Sequence, residues 1–344
     1  MVKDDNKIDW DNLGFNVIKT KSMFSATFDF DSGWSDGELI PYGNISISPA
    51  SAALNYGQGV FEGTKAYRSN ENRIVTFRLL DNSSRMNASN NRLCIPEIPK
   101  ELFLNAVKSI ILDNQSFIPK SNQGSLYIRP VIWGTGAMLG VKPAEEYTFM
   151  IYVSPVGSYF SKGLKALNVL IDKNFHRTAK KGIGGAKAIG NYSASLFPMI
   201  KAQEKGFDEI IFLNSANENI IDEARSANIF IIKNKIIKTP ALDGSILPGI
   251  TRDSILKISE RVLDLEIKEC DISIHDILNA DEVFFTGTAV IVAPVGSITY
   301  EGILYSYNKN NNYQMTMQLR DTIIGIQNET IKDPFGWTVP VDNL

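Results

Sequence analysis

The sequence predicts an α+β protein made of two mixed α/β domains. It has 344 residues, whereas a single domain commonly holds about 100–200 residues, so two cores are expected. Hydrophobic residues make up 44% of the chain and charged residues 21%, which is enough apolar mass for packed cores. Short β-rich runs alternate with stretches whose apolar residues recur at helical spacing, and this mixture predicts strands and helices in both halves.

The first domain is predicted to span residues 1–156. Its strands are indicated by runs of β-branched and aromatic residues bounded by turn residues, as in GNISISP at 43–49. We predict strands at 43–49, 72–80, 125–133 and 147–155. Residues 100–112, KELFLNAVKSIIL, carry six apolar side chains at helical spacing, which predicts an amphipathic helix.

The second domain is predicted at 176–344. A segment rich in Gly, Ser and Lys follows Pro155, and this composition is typical of an interdomain linker, here placed at 157–175. The domain then opens on a Gly-rich loop at 182–190. The elements predicted after that loop are helices at 192–205 and 251–263 and strands at 209–214, 228–238, 282–286 and 290–293.

Charge and composition favour a small-molecule partner. Lys and Arg total 35 against 38 Asp and Glu, giving a net charge of −3, so the chain lacks the basic field that nucleic acid or an anionic membrane attracts. Two cysteines, Cys94 and Cys270, and two histidines, His176 and His275, do not form a disulfide framework or a zinc-binding spacing. We therefore expect no metal site and a reducing compartment.

The cytoplasm is the location predicted from the sequence. The first residues, MVKDDNKIDWDNLG, are acidic and polar, unlike a secretory signal or an organellar transit peptide. Apolar stretches such as residues 283–296 contain Gly, Thr and Pro and fall short of the roughly 20 residues that cross a bilayer.

Two segments have the composition of a phosphate or cofactor site. In the loop 182–190, Lys187 follows three glycines but precedes Ala188, so neither the P-loop nor the dinucleotide-binding pattern is present. A lysine among small apolar residues is a Schiff-base nucleophile if burial lowers its pKa, and a solvated loop lysine otherwise. At 245–254, SILPGITRDS, a turn leads into a helix near Thr251, which offers a phosphate site or an ordinary helix cap.

Six ordered blocks together resemble the branched-chain amino acid aminotransferases, pyridoxal-phosphate enzymes of fold type IV, and most closely their longer plant and bacterial members. The resemblance extends from about residue 14 to residue 340. Its blocks are 54–68, 124–141, 187–196, 220–230, 246–255 and 281–298. It implies a pseudo-barrel-like C-terminal domain, a cofactor in the interdomain cleft, and transfer of an amino group from leucine, isoleucine or valine to 2-oxoglutarate.

The resemblance also assigns cofactor contacts. Lys187 matches the Schiff-base lysine, which acts as nucleophile and general base. Glu223 matches the carboxylate beside the pyridine nitrogen, and Tyr192 matches the phenol at the cofactor's 3-oxygen. The other implied contacts are Arg85, Ile250, Thr251 and Thr288 at the phosphate and Leu247 against the ring.

For the substrate, the resemblance implies an aromatic wall and one arginine in the same pocket. Tyr56, Phe61 and Tyr159 match the wall, while Tyr127 and Arg129 match positions that bind substrate carboxylates. The turn at Thr288 and Ala289 would offer N–H groups to the α-carboxylate. Leu139 and Val141 match a loop that reaches into the site of a second subunit, which implies a homodimer.

Alternatives on the same fold are an aminodeoxychorismate lyase and a D-amino-acid aminotransferase. Two departures from relatives also stand out. Animal members carry C-x-x-C after the GTA turn, whereas Val290 and Ala293 occupy those positions here, so a thiol switch is excluded there. Arg225 lies two residues from Glu223, and strand alternation would place both on one face. No role is implied for Arg177.

Overall fold

The computed structural model describes residues 8–121, 123–157, 165–307 and 313–344. The chain forms two compact units. Unit 1 comprises Met1–Ser161, Ala186–Gly190 and Gly325–Leu344, and unit 2 comprises Lys162–Gly185 and Asn191–Ile324. The predicted domains divide the chain at one place, whereas each observed unit is built from more than one segment of the chain. The C-terminal segment belongs to unit 1 because the last strand pairs with a strand near residue 75. Residues 158–164 of the predicted linker, including Tyr159, lie outside the described residues.

Unit 1 contains an antiparallel sheet with nine strands among the described residues. With strands numbered along the chain, they are β1 Ser22–Asp29, β2 Gly33–Trp34, β3 Glu38–Pro41, β4 Gly59–Phe61, β5 Thr64–Arg68, β6 Ile74–Phe77, β7 Ser125–Gly134, β8 Glu146–Val156 and β18 Thr338–Pro340. Their order is β18-β6-β5-β7-β8-β1-β2, with β3 paired to β1 and β4 paired to β7.

Three helices accompany this sheet: α1 Ala52–Tyr56, α2 Leu79–Arg92 and α3 Lys100–Asp113. Helix α3 agrees with the predicted amphipathic helix, and its Phe103, Ala106, Val107, Ile110 and Ile111 are buried. The Phe103 ring stacks on Phe149 of β8 with 6.0 Å between centroids. The apolar face of α3 is thus packed on the sheet, where area removed from water stabilises the fold.

Unit 2 contains a second, mixed sheet with nine strands in the described part of the chain. They are β9 Leu167–Ile171, β10 Glu209–Asn214, β11 Asn217–Ala224, β12 Asn228–Lys233, β13 Ile236–Thr239, β14 Ile267–Glu269, β15 Glu282–Gly287, β16 Ile291–Tyr300 and β17 Ile303–Ser306. Their order is β11-β10-β9-β16-β15-β12-β13-β14, with β17 paired to β16. The remaining helices are α4 Ile189–Ser193, α5 Leu196–Glu204, α6 Ile250–Arg261, α7 Ile274–Leu278 and α8 Gln314–Gln327.

Several predicted elements differ from the structure. No strand forms at 43–49, where Ile45 is exposed and the backbone finds no sheet partner. The strand predicted at 72–80 is limited to β6, because the chain enters α2 at Leu79. The strand predicted at 228–238 is a hairpin instead: Asn234 and Lys235 both take positive φ, as a two-residue turn of the primed type requires.

The helix predicted at 192–205 is interrupted, and α4 and α5 occupy that region with a break between Ser193 and Leu196. Among the helices of the described segments, none combines the length and the apolar character needed to cross a bilayer. The same described residues contain no cluster of three His, Cys, Asp or Glu side chains arranged to hold a metal ion.

Candidate active site

The backbone of Lys187 is fixed within unit 1 by neighbours on two elements. Its N–H donates to the Ser89 Oγ of α2 at 2.9 Å, and its carbonyl accepts from the Phe61 N–H of β4 at 3.2 Å. Ala188 bridges to Val60 in the antiparallel sense. Because β4 is itself paired with β7, the lysine is attached to the edge of the unit 1 sheet.

The Lys187 amine lies over an aromatic ring, with Nζ 3.9 Å from the Phe61 centroid. Burial lowers the pKa of Lys187 to about 8, while the charge of Glu62 opposes that shift and the charge of Arg85 reinforces it. A lysine that is partly neutral near physiological pH is a nucleophile. The geometry therefore favours the Schiff-base interpretation of Lys187 over a solvated loop lysine.

Beside the lysine, Glu62 and Arg85 form a buried, two-pronged ion pair. Arg85 Nε donates to Glu62 Oε1 at 2.7 Å, and Arg85 Nη2 donates to Oε2 at 2.9 Å. Asn82 Nδ2 and the Gly63 N–H also donate to Oε2, at 2.8 Å and 3.1 Å. Burial alone would raise the pKa of Glu62, but Arg85, Lys187 and Asn82 together lower it. The carboxylate holds the Arg85 guanidinium in a fixed plane.

Tyr127 and Arg129 are two residues apart on β7, so their side chains share one face of the strand. Arg129 Nη2 donates to the Tyr127 hydroxyl at 3.1 Å, and the guanidinium carbon lies 4.8 Å from the Phe61 centroid. Gly63 permits this arrangement, because a Cβ there would lie 2.1 Å from the Tyr127 hydroxyl oxygen. Phe61, Tyr127, Arg129 and Lys187 thus form one cluster within unit 1.

The remaining substrate residues predicted in this unit are separate from that cluster. Tyr56 ends α1, is 43% exposed, and donates its hydroxyl to the Leu139 carbonyl. Leu139 and Val141 are 91% and 85% exposed, so neither packs against its own chain. The structure places Tyr56 as the anchor of the Leu139 loop, and Tyr159 lies outside the described residues.

In unit 2, Glu223 near the end of β11 is buried and bonded to three donors. Arg177 Nη2 forms an ion pair with its Oε1, and the Leu247 N–H donates to the same oxygen at 3.1 Å. Asn228 Nδ2 donates to Oε2 at 2.7 Å and also to the Leu247 carbonyl at 2.9 Å. These bonds fix the orientation of the carboxylate and connect it to the turn that precedes α6.

Burial raises the pKa of Glu223 to about 7, and Arg177 opposes that shift. Arg225 is not the cation beside it: the nearest acid to Arg225 is Glu209, with Nε 3.6 Å from its Oε1. Strand β11 ends at Ala224, where a turn begins with the Ala224 N–H donating to the Ala227 carbonyl. Strand alternation therefore does not extend to Arg225, and Arg177 takes the place beside the carboxylate.

Ile250 and Thr251 form the first turn of α6, as the sequence predicts for a helix start near Thr251. The N-terminus of a twelve-residue helix directs N–H groups and the positive end of its dipole outward. Thr288 and Ala289 lie in the turn between β15 and β16, and Tyr192 lies on α4. Unit 2 thus contains the helix start, the turn and the phenol that the resemblance implies.

The Gly-rich loop serves close packing. Gly184 lies against the 245 segment so tightly that a Cβ would be 2.0 Å from the Ser245 carbonyl oxygen. The next N–H, from Gly185, donates to the Gly244 carbonyl at 3.1 Å. These glycines therefore bring two backbone segments of unit 2 together.

Four buried polar residues at these sites were not predicted: Glu62, Asn82, Arg177 and Asn228. Glu62 is ion-paired with Arg85, and Asn82 donates to Glu62. Arg177 and Asn228 both contact Glu223. Glu62 and Asn228 lie inside the blocks at 54–68 and 220–230. Their place in blocks that carry the resemblance could have indicated that they belong to the site. For Asn82 and Arg177 the contact arises only on folding.

Comparison with known proteins identifies the family of the chain. The family model for Amino-transferase class IV matches residues 59–298. The chain is 45% identical over 332 residues to branched-chain amino acid aminotransferase 2, chloroplastic, of Humulus lupulus, covering 96% of this chain and 81% of that protein. It is 40% identical to a probable branched-chain-amino-acid aminotransferase of Staphylococcus epidermidis, covering 97% and 95% of the two chains.

A solved structure gives the same result for the fold. The branched-chain aminotransferase of the thermophilic archaeon Thermoproteus uzoniensis, determined with norvaline, superimposes with a TM-score of 0.79 at 28% sequence identity. The match covers 93% of this chain and 99% of that chain. The predicted α+β, fold type IV architecture is thereby confirmed.

The predicted cytoplasmic location is wrong. Similar proteins from Humulus lupulus and Arabidopsis thaliana are named as chloroplastic or mitochondrial. Few cysteines and a polar start distinguish secretory from non-secretory chains. The inference also took the acidic start as evidence against an organellar transit peptide, and the names of these relatives overturn that step.

The family assignment depends on coverage as well as identity. The matched region spans both the Lys187 segment and the Glu223 segment, and the curated relatives extend the match to nearly the whole chain. The chain belongs to the class IV amino-transferase family and, within it, to the branched-chain amino acid aminotransferases.

Proposed function

We propose that the protein is a pyridoxal-phosphate-dependent branched-chain aminotransferase. It transfers the amino group of L-leucine, L-isoleucine or L-valine to 2-oxoglutarate, giving the branched 2-oxo acid and L-glutamate in two half-reactions. The observation that carries the proposal is the buried, pKa-lowered Lys187 in a chain whose curated relatives are named for this activity.

The polar groups of the two units fit the chemistry of pyridoxal phosphate. The lysine amine suits its aldehyde carbon, the Glu223 carboxylate suits a protonated pyridine nitrogen, and Arg85 with the α6 N-terminus suits a phosphate. The cofactor, when bound, supplies an electron sink for the pair left when the substrate Cα loses its proton. Each group therefore has a matching residue type in the chain.

Lys187 performs the covalent and proton-transfer work. Its amine would hold the cofactor at the aldehyde carbon, and the same amine would take up and return the proton of the substrate Cα. Both tasks need a neutral amine, and burial increases the neutral fraction by lowering the pKa of Lys187 to about 8. The bonds from Ser89 and Phe61 to the Lys187 backbone limit its movement.

The other residues proposed at the cofactor orient its ring and hold its phosphate. Glu223, fixed by Arg177 and Asn228, would accept a hydrogen bond from the pyridine nitrogen, and Tyr192 would donate to the 3-oxygen. The residues that would hold the phosphate are Arg85, Ile250 and Thr251 through their N–H groups, and Thr288 through its hydroxyl, while Leu247 would pack against the ring.

Substrate recognition combines an apolar wall with one cation. Phe61 forms the apolar wall for the aliphatic side chain, and the resemblance assigns Tyr56 and Tyr159 to the same wall. Arg129, held by the Tyr127 hydroxyl and the Phe61 ring, binds the side-chain carboxylate of glutamate or 2-oxoglutarate. The N–H groups of Thr288 and Ala289 bind the α-carboxylate, which all these substrates share.

The active form is a homodimer. Leu139 and Val141 lie almost fully exposed on a loop held by Tyr56, and large apolar side chains at such exposure are typical of a surface that another chain covers. We assign this loop to the substrate site of the second subunit. The lyase and D-amino-acid alternatives receive no support from the relatives, which are named as branched-chain aminotransferases.

The purified holoenzyme should convert leucine, isoleucine and valine with 2-oxoglutarate to glutamate at comparable rates. Because Lys187 is both nucleophile and base, Lys187→Ala should lose at least about 10⁴-fold in kcat. Coupled glutamate detection measures both, with the exposed Lys201→Ala as the control. Release of pyruvate from aminodeoxychorismate without amino transfer would instead establish the lyase.

Arg129→Ala should weaken the glutamate half-reaction about 10- to 100-fold in kcat/KM, because a charge-assisted hydrogen bond to the second carboxylate is lost. The leucine half-reaction should change little. Single-turnover absorbance measurements separate the two, and the exposed Arg261→Ala controls for the loss of a charge. Equal losses in both half-reactions would count against this role.

Mixed dimers test the Leu139 loop. A Leu139→Asp/Val141→Asp double variant and Lys187→Ala should each be inactive alone. Co-expressed, they should recover about one quarter of wild-type activity, because half the dimers are mixed and one of their two sites is complete. If differentially tagged mixed dimers are purified and remain inactive, the loop does not serve the partner's site.

A further inference from the structure

The turn between β15 and β16 leads directly into a strained residue, the first of β16. Ile291 has a φ of +60°, in the left-handed region that β-branched residues avoid because their Cβ substituents crowd the backbone. Such a conformation is energetically unfavourable and persists only where surrounding contacts impose it. The structure must therefore contain a group that holds this turn.

That group is Arg320 of α8. Its Nη1 donates to the Val290 carbonyl at 3.0 Å and to the Val292 carbonyl at 2.6 Å. The two acceptors lie on either side of Ile291, so one nitrogen bridges the strained residue. Charged donors make the stronger hydrogen bonds to carbonyl oxygens, and these two stabilise the left-handed conformation of Ile291.

Helix α8 is itself attached to the same strand pair at a second point. The Glu282 carboxylate, at the start of β15, accepts from the Met315 N–H at 3.2 Å and the Thr316 N–H at 2.9 Å. It also accepts from the Thr316 hydroxyl at 2.6 Å. The first turn of α8 is therefore fixed to the sheet, and Arg320, one turn later, is presented at the β15–β16 turn.

We propose that Arg320 is a positioning residue that presets the Thr288–Ala289 turn for the α-carboxylate of the substrate. The proposal rests on the function proposed above, which directs the N–H groups of Thr288 and Ala289 to that carboxylate. Arg320 acts through the backbone and does not contact the substrate. Because every amino acid and 2-oxo acid in the reaction carries this carboxylate, Arg320 affects the affinity for all of them and does not select among them.

Removing the bridge should raise KM in both half-reactions. Arg320→Met keeps much of the apolar stem and should raise the KM of leucine and of glutamate by a similar factor, about tenfold, with kcat changed by less than about threefold. Arg320→Lys, which retains a cationic donor, should restore part of the loss. Arg261→Met, on the exposed side of α6, should behave as wild type.

A double variant separates a positioning role of Arg320 at the turn from a general contribution of Arg320 to folding. Asn tolerates the left-handed conformation far better than Ile, so Ile291→Asn should make the turn less dependent on Arg320. The KM increase caused by Arg320→Met should be at least about threefold smaller in the Ile291→Asn background. If Arg320→Met does not accumulate as folded protein, Arg320→Lys gives the same comparison.

Three results would overturn the inference in an enzyme that is otherwise active: an unchanged KM in the Arg320 variants, a KM increase confined to one substrate, or equal KM increases in the Ile and Asn backgrounds. A wild-type enzyme without transaminase activity is a different outcome, since it refutes the proposed function itself. The wild-type assay therefore precedes the variants.

Discussion

Burial of the Lys187 amine against the Phe61 ring is the constraint on which the candidate active site depends. Desolvation disfavours the ammonium form and is the largest cause that lowers the pKa of Lys187 to about 8, although the ring face 3.9 Å from Nζ attracts an ammonium. Only the neutral amine can bind an aldehyde carbon or accept a proton from the substrate Cα, and the lowered pKa makes that form accessible near neutral pH. Phe61 and Lys187 are joined through the backbone, so the strand that carries the ring also positions the amine.

The charges of Glu62 and Arg85 also act on the pKa of Lys187, in opposite directions. Glu62 alone would favour the ammonium form, but its carboxylate is engaged by Arg85 on both oxygens and by Asn82. In unit 2, Glu223 is also paired with an arginine, yet burial and the nearby Asp222 raise its pKa to about 7. Both carboxylates face two cations, Arg85 and Lys187 for Glu62, and Arg177 and Arg252 for Glu223. They differ because side-chain hydrogen bonds from Arg85 and Asn82 also lower the pKa of Glu62, whereas Asp222 adds to the effect of burial on Glu223. Each acid thereby suits a different role: one holds an arginine, and one accepts a hydrogen bond.

The sequence predicted the α+β class and helix α3, because apolar periodicity is a local property. Ordered blocks, which are local too, singled out Lys187, Arg85 and Glu223, and their roles stay predictions. It did not predict that Arg177, and not Arg225, lies beside Glu223, since that depends on where β11 ends. Nor could it predict the pairing of β18 with β6, the Glu62–Arg85 ion pair or the bridge from Arg320 to Val290 and Val292. These contacts join residues that are distant in the chain, and they form only when the two sheets fold.

The pH dependence of cofactor capture by the apoprotein tests the central claim most directly. Visible absorbance after addition of pyridoxal phosphate gives the rate at each pH, and borohydride reduction followed by peptide mapping assigns it to Lys187. Because only the neutral amine reacts, the rate should rise about tenfold per pH unit and level off near the Lys187 pKa of about 8. Glu62→Gln should move that midpoint to lower pH, since it removes a charge that favours the ammonium form. A rate that continues to rise towards the ordinary lysine pKa of 10.5 would contradict the account.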